Sequence, residues 1–129
     1  LFKEINSKFP CKFFLAGGPN DKFLIEKVMN SVENCVSLSK LKMEQIIPIL
    51  ASCQIYCGND TGFGHLAANL NLKCLMIFVD SPTVYGLWNK NIRIVVPVGE
   101  TIDSVGHNTR GKNRVDFNTV LSKTLDLIS

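Results

Sequence analysis

The sequence predicts an α/β fold: a Rossmann-like parallel sheet covered by helices. Three observations carry this. Short apolar strands alternate with amphipathic helices through most of the chain. The most apolar run, Lys73 to Val79, has strand length and ends in the turn Asp80-Ser81-Pro82-Thr83. Polar turns carrying glycine or proline follow the strands at 17–21, 58–64 and 80–88, where parallel sheets place their ligands.

Each element has a local cause. Phe2 to Lys8 suits a short helix, ended before Pro10. Cys11 to Ala16 is an apolar run of strand length. Gly17-Gly18-Pro19-Asn20-Asp21 is a turn in which Asn20 or Asp21 can cap the next helix. That helix sets Phe23, Leu24, Val28 and Val32 at helical spacing, and Cys35 to Leu38 forms the second strand. Lys42 to Ser52 carries Met43, Ile46, Ile47 and Leu50 on one face, with Pro48 kinking the helix or delaying its start. Gln54 to Cys57 is a strand, Thr61 to Leu70 a helix, and Ile92 to Val96 the last strand. Residues 99–114 are polar. Phe117 to Ile128 closes as a helix showing Val120, Leu121, Leu125 and Ile128.

A chain of 129 residues with 46% apolar content fits one domain with a single core. Charged residues at 19% exclude a disordered chain, and no apolar run is long enough to span a bilayer. A net charge of +3 does not call for nucleic acid as a partner. The start, Leu1-Phe2-Lys3-Glu4, lacks the pattern of a signal peptide and an initiating Met, as expected of a fragment. Five cysteines, Cys11, Cys35, Cys53, Cys57 and Cys74, mostly in apolar stretches, read as reduced core thiols of a cytosolic protein. The spacing of Cys53 and Cys57 is not that of a zinc site.

The chemistry concentrates in Gly58-Asn59-Asp60-Thr61-Gly62-Phe63-Gly64-His65-Leu66-Ala67-Ala68. A strand enters a polar turn and a helix begins there. The first N–H groups of a helix lack partners and carry partial positive charge, so small residues at this point admit a phosphate. Asp60 is placed either to cap the helix or to accept from a ligand hydroxyl. His65 falls one turn in. Gly62-x-Gly64-x-x-Ala67, with Asp80 ending the next strand, also matches a dinucleotide pattern and keeps an NAD-type oxidoreductase domain as an alternative. Against it, Gly58 to Thr61 separate the glycines from the strand, and Asp60 would face a pyrophosphate. A non-catalytic module that binds sugar nucleotides is the third reading.

Gly58-Asn59-Asp60-Thr61-Gly62-x-x-His65-Leu66-Ala67-Ala68 resembles the signature of the family 9 glycosyltransferases, the heptosyltransferases of lipopolysaccharide core synthesis. The resemblance extends over residues 10–98, through Ala16-Gly17-Gly18-Pro19, the helix from Met43 and the strand Lys73 to Val79. Val79-Asp80-Ser81-Pro82 stands where a glycine-rich turn is usual, and Pro48 is unusual in its helix. The resemblance implies the C-terminal, donor-binding half of a two-domain GT-B enzyme, with the acceptor site and catalytic base in an absent N-terminal domain. It implies metal-independent, inverting transfer from a nucleoside diphosphate sugar such as ADP-heptose to a glycolipid, with no cofactor. It further implies a cytoplasmic protein, peripheral on the inner membrane.

The site residues follow from that resemblance. Backbone N–H groups of Thr61 and Gly62 would hold the diphosphate, Asp60 the sugar, and His65 the phosphate or sugar. Gly18, Asn20 and Asp21 would contact ribose or base. Ser81 and Thr83 would line the opposite rim beside Asp80. No D-x-D pair occurs to hold a metal, and a helix N-terminus can stabilise a leaving diphosphate in its place. His107, Arg110, Lys112 and Arg114 form a basic cluster open to an anionic acceptor or to solvent. Tyr85 and Trp88 suit a base-stacking role or packing at the sheet edge.

Overall fold

Parallel strands and the helices that follow them build the protein, and the computed structural model describes residues 1–109 and 114–129. The chain divides into two compact units, Leu1–Ile49 and Leu50–Ser129.

The first unit opens with α1 (Phe2–Lys8), which ends at the extended Phe9 before Pro10. Strands β1 (Phe13–Leu15) and β2 (Cys35–Ser37) pair in parallel, with Phe13 opposite Cys35 and Leu15 opposite Ser37. Between them lie a 3-10 turn over Pro19–Asp21 and α2 (Lys22–Met29). Helix α2 buries Ile25, whereas Phe23 and Leu24 face outward at 73% and 58% exposure. This corrects the apolar face expected from Phe23 and Leu24. A helix of eight residues covering a two-stranded ladder has room to bury one narrow stripe, and Ile25 takes it.

Helix α3 (Met43–Ala51) starts with the Lys42 N–H donating to Gln45 Oε1 at 2.9 Å, the back half of a capping box. Pro48 sits inside it rather than delaying its start.

The second unit carries the larger sheet, β3 (Ile55–Asn59), β4 (Lys73–Ile77) and β5 (Ile92–Val95), in the order β3-β4-β5 and all parallel. Central β4 explains the apolar run: Cys74, Leu75 and Met76 are fully buried because helices cover both faces. Helix α4 (Gly62–Asn69) covers the face of Cys74, Met76 and Phe78, where Leu50, Ala67, Ala68 and Leu72 complete the core. Helix α6 (Phe117–Ile128) covers the other. There Thr124 Oγ1 lies 3.6 Å from Cys57 Sγ and donates to Val120 O at 2.7 Å. Its buried stripe is Val120, Thr124 and Leu127, not the expected row ending at Ile128. Asp116 caps α6 by accepting from the Thr119 N–H at 2.7 Å and its hydroxyl at 2.7 Å, which holds that carboxyl below its ordinary range.

All five cysteines are free thiols; Cys74 is a core residue and Cys53 packs against that core, whereas Cys11, Cys35 and Cys57 are only half-buried. Burial pushes the Cys74 thiol up to about 11. Among the described residues no helix is long and apolar enough to cross a membrane.

Gly64 marks where α4 meets the sheet. A Cβ there would lie 2.7 Å from Met76 Cε and 3.0 Å from Tyr56 Cε1. Met76 is fully buried, so its methyl and the Tyr56 ring must shift within a packed core. Gly64→Ala therefore lowers stability by about 1–3 kcal/mol, the usual cost of overpacking. Gly62 has nothing within 4 Å of its Cβ position, so Gly62→Ala is the control that leaves the urea midpoint nearly unchanged.

Candidate functional site

The site lies at the carboxyl ends of β3 and β4, where parallel sheets leave a crevice between successive turns. A cavity of about 500 Å³ is lined there by Asn59, Asp60, Ile77, Val79, Asp80, Tyr85 and His107. The backbone on its β3 side is held by the Asp60 N–H donating to Ile77 O at 3.0 Å.

Thr61 is the N-cap of α4 and makes no side-chain cap bond, so Asp60 does not cap this helix. The Asp60 carboxylate instead faces its own helix one turn in: Oδ1 lies 2.7 Å from His65 Nε2. Both side chains keep about a quarter of their surface, 25% for Asp60 and 29% for His65. The other His65 nitrogen, Nδ1, accepts from the Trp88 indole N–H at 3.3 Å. Both ring nitrogens are thus engaged within the protein.

Tyr56 supports the turn from below. Its hydroxyl lies 3.3 Å from Thr61 Oγ1 and donates to Asn59 O at 3.3 Å. Burial pushes the Tyr56 phenol up, with the Thr61 hydrogen bond opposing it. Thr61 and Gly62 are exposed, and the first N–H groups of α4 have no partners within the helix.

Across the cavity, Asp80 is nearly buried and pairs with His107, whose Nδ1 lies 2.8 Å from Asp80 Oδ2. Ser81 Oγ donates to Asp80 Oδ1 at 2.9 Å. Ser81 precedes α5 (Pro82–Tyr85) with φ 38° and ψ 55°, a left-handed conformation rare for any residue but glycine. This is where a glycine-rich turn is usual in the family that the sequence resembles. Thr83, on α5, is exposed and does not line the cavity.

Of the expected site residues, Asp60, Thr61, Gly62 and His65 come together at the start of α4, and Ser81 reaches the cavity through Asp80. In the first unit, Gly18, Asn20 and Asp21 form their own closed turn, with the Gly18 N–H donating to Asp21 Oδ2 at 2.8 Å. That bond spends the Asp21 carboxylate on the turn itself rather than on a cap of α2.

Two partners went unforeseen. Trp88, expected to stack on a base or pack at the sheet edge, is half exposed and bonded to His65. His107, expected in a basic loop, faces Asp80; Arg110 and Lys112 of that cluster lie outside the described residues. Among the described residues no three His, Cys, Asp or Glu side chains converge to hold a metal ion.

Residues 2–112 match the family model described as glycosyltransferase family 9 (heptosyltransferase). The chain is 30% identical over 123 residues to lipopolysaccharide heptosyltransferase 1 of Campylobacter coli, covering 91% of this chain and 35% of that protein. Two solved structures share the fold at 17% identity, each covering 98% of this chain. They are the E. coli heptosyltransferase WaaC with ADP, with a TM-score of 0.74 and 37% of its chain covered, and E. coli ADP-heptose lps heptosyltransferase II, with 0.70 and 39%. The chain thus spans little more than a third of the length of each of these relatives.

Proposed function

Because the chain belongs to glycosyltransferase family 9, we propose that it is the donor-binding part of a glycosyltransferase, moving a sugar from a nucleoside diphosphate to a lipopolysaccharide-type acceptor. The proposed donor is ADP-heptose, the sugar nucleotide in the name of one structural relative, while the other was solved with ADP. The enzyme works at the cytoplasmic face of the inner membrane.

The observation that carries this reading is a carboxylate, Asp60, held by His65 at the rim of a cavity, immediately before a helix N-terminus. The free N–H groups of α4 receive the diphosphate and stabilise it as it leaves. Asp60 accepts from sugar hydroxyls with the oxygen that His65 does not use. Ser81, bonded to Asp80, forms the far rim of the cavity. No metal is needed, because the helix end supplies the positive potential. We assign the base that deprotonates the acceptor hydroxyl to the part of the enzyme that this chain, about a third of its relatives' length, does not cover.

Two features support this reading over the dinucleotide alternative. Gly62 and Gly64 fall within α4 rather than in the turn, and Gly64 serves close packing on Met76. Calorimetric titration of the chain with ADP, with and without EDTA, tests the proposal. Weak binding unchanged by EDTA is expected, with no sugar transfer by this chain alone. Binding of NAD in preference to ADP, or ADP binding lost with EDTA, overturns it.

A further inference from the structure

Trp88 is the only tryptophan of the chain, and it follows α5 by a few residues. Its indole N–H donates to His65 Nδ1, and the two rings lie 5.8 Å apart, tilted by 32°. On its other side the imidazole meets Asp60 Oδ1 at 2.7 Å from Nε2. These two neighbours make opposite demands. An indole N–H can only donate, so Nδ1 must present a lone pair. An ionised carboxylate can only accept, so Nε2 must carry the proton. The neutral Nε2–H tautomer satisfies both, and the Nδ1–H tautomer satisfies neither.

We propose that Trp88 is a positioning residue for the donor site: its indole N–H holds His65 as the Nε2–H tautomer, turned so that the imidazole donates to Asp60. Of the other titratable groups nearby, Tyr56 lies beneath the turn and Asp80, Tyr85 and His107 line the cavity with Asp60, whereas the partners of the ring nitrogens are Asp60 and Trp88. Asp60 then has one carboxylate oxygen fixed and the other offered to a hydroxyl-rich ligand. The ligand consequence rests on the proposed function; the tautomer rests on geometry alone.

Long-range proton–nitrogen NMR of the ¹⁵N-labelled chain, at about pH 8, reads the tautomer directly. The wild type should show a protonated Nε2 and a bare Nδ1. Asp60→Asn should keep that pattern, because Trp88 still requires the Nδ1 lone pair. In the Asp60→Asn/Trp88→Phe double variant the two nitrogen signals should move toward each other as tautomers mix. A wild type protonated at Nδ1, or mixing already in Asp60→Asn, overturns the proposal. Should the double variant not fold, the sole indole N–H resonance decides. It should lie downfield in the wild type relative to His65→Phe, and equal positions overturn the proposal.

Calorimetry then reads the consequence. Trp88→Phe should weaken ADP-heptose binding by about two- to tenfold, the scale of one hydrogen bond, and leave ADP binding unchanged. Equal loss of both ligands overturns the positioning role. Absence of ADP-heptose binding in the wild type overturns the donor-site reading, while the NMR result still judges the tautomer.

Discussion

Asp60→Ala should weaken binding of ADP-heptose by about 1–3 kcal/mol while changing ADP affinity little. That is the scale of hydrogen bonds to a charged group. The selectivity follows from where Asp60 sits. It precedes the N-cap, so α4 keeps its N–H groups for the diphosphate when the carboxylate is gone. The lost group is one that only a sugar hydroxyl would meet. Stability should fall by no more than about 1 kcal/mol, because the Asp60–His65 pair is partly solvated and water can replace the carboxylate. Asp60→Asn keeps an acceptor for the His65 N–H but loses the charge, so it should lie between the wild type and Asp60→Ala. Titration of each variant with both ligands, beside a melting curve, checks this. Equal weakening of ADP and ADP-heptose, accompanied by a large drop in Tm, would show a structural role and remove the sugar contact.

Phe78→Ala should cost about 3–5 kcal/mol, a large part of the 5–15 kcal/mol that holds a domain of this size together. Phe78 is the largest of the fully buried side chains. It extends β4, its N–H donating to Val95 O at 2.8 Å, and it packs with Ala67, Ala68 and Met76. Its ring also lies under the end of α5: a Cβ at Gly86 would meet Phe78 Cζ at 3.0 Å. Losing the ring opens a cavity beneath the segment that carries Tyr85, so the site should loosen together with the core. Urea denaturation should show the lost stability, with Phe78→Leu retaining most of it. A change below about 1 kcal/mol for Phe78→Ala would mean that the core refills the space.

What the sequence disclosed divides by range. The strands disclosed themselves through apolar runs, β4 most plainly, because a strand covered on both faces needs no polar residue. The start of α4 was legible because the turn 58–64 and its helix are contiguous, and a helix N-terminus has the same chemistry wherever it occurs. Helix faces were less legible. In α2 the outward Phe23 and Leu24 and the inward Ile25 are all apolar, and only the position of the ladder beneath chooses between them. Pairings across the fold were not legible at all. His65 and Trp88 are 23 residues apart, and His107 meets Asp80 after an intervening strand. No spacing rule links such residues; the return of the chain after β4 and β5 does.

Ser81 bears on how this rim fails. A left-handed serine costs about 1–2 kcal/mol relative to the right-handed region, and Pro82 further restricts the residue before it to extended conformations. That cost is recovered only while the turn is folded and the Ser81 hydroxyl holds Asp80. Any partial opening therefore releases strain as well as breaking contacts, so this rim should open at lower free energy than the β3-β4-β5 ladder. Hydrogen exchange would show it as a separate, weakly protected unit around Ser81 and α5, melting open while the sheet beneath stays closed.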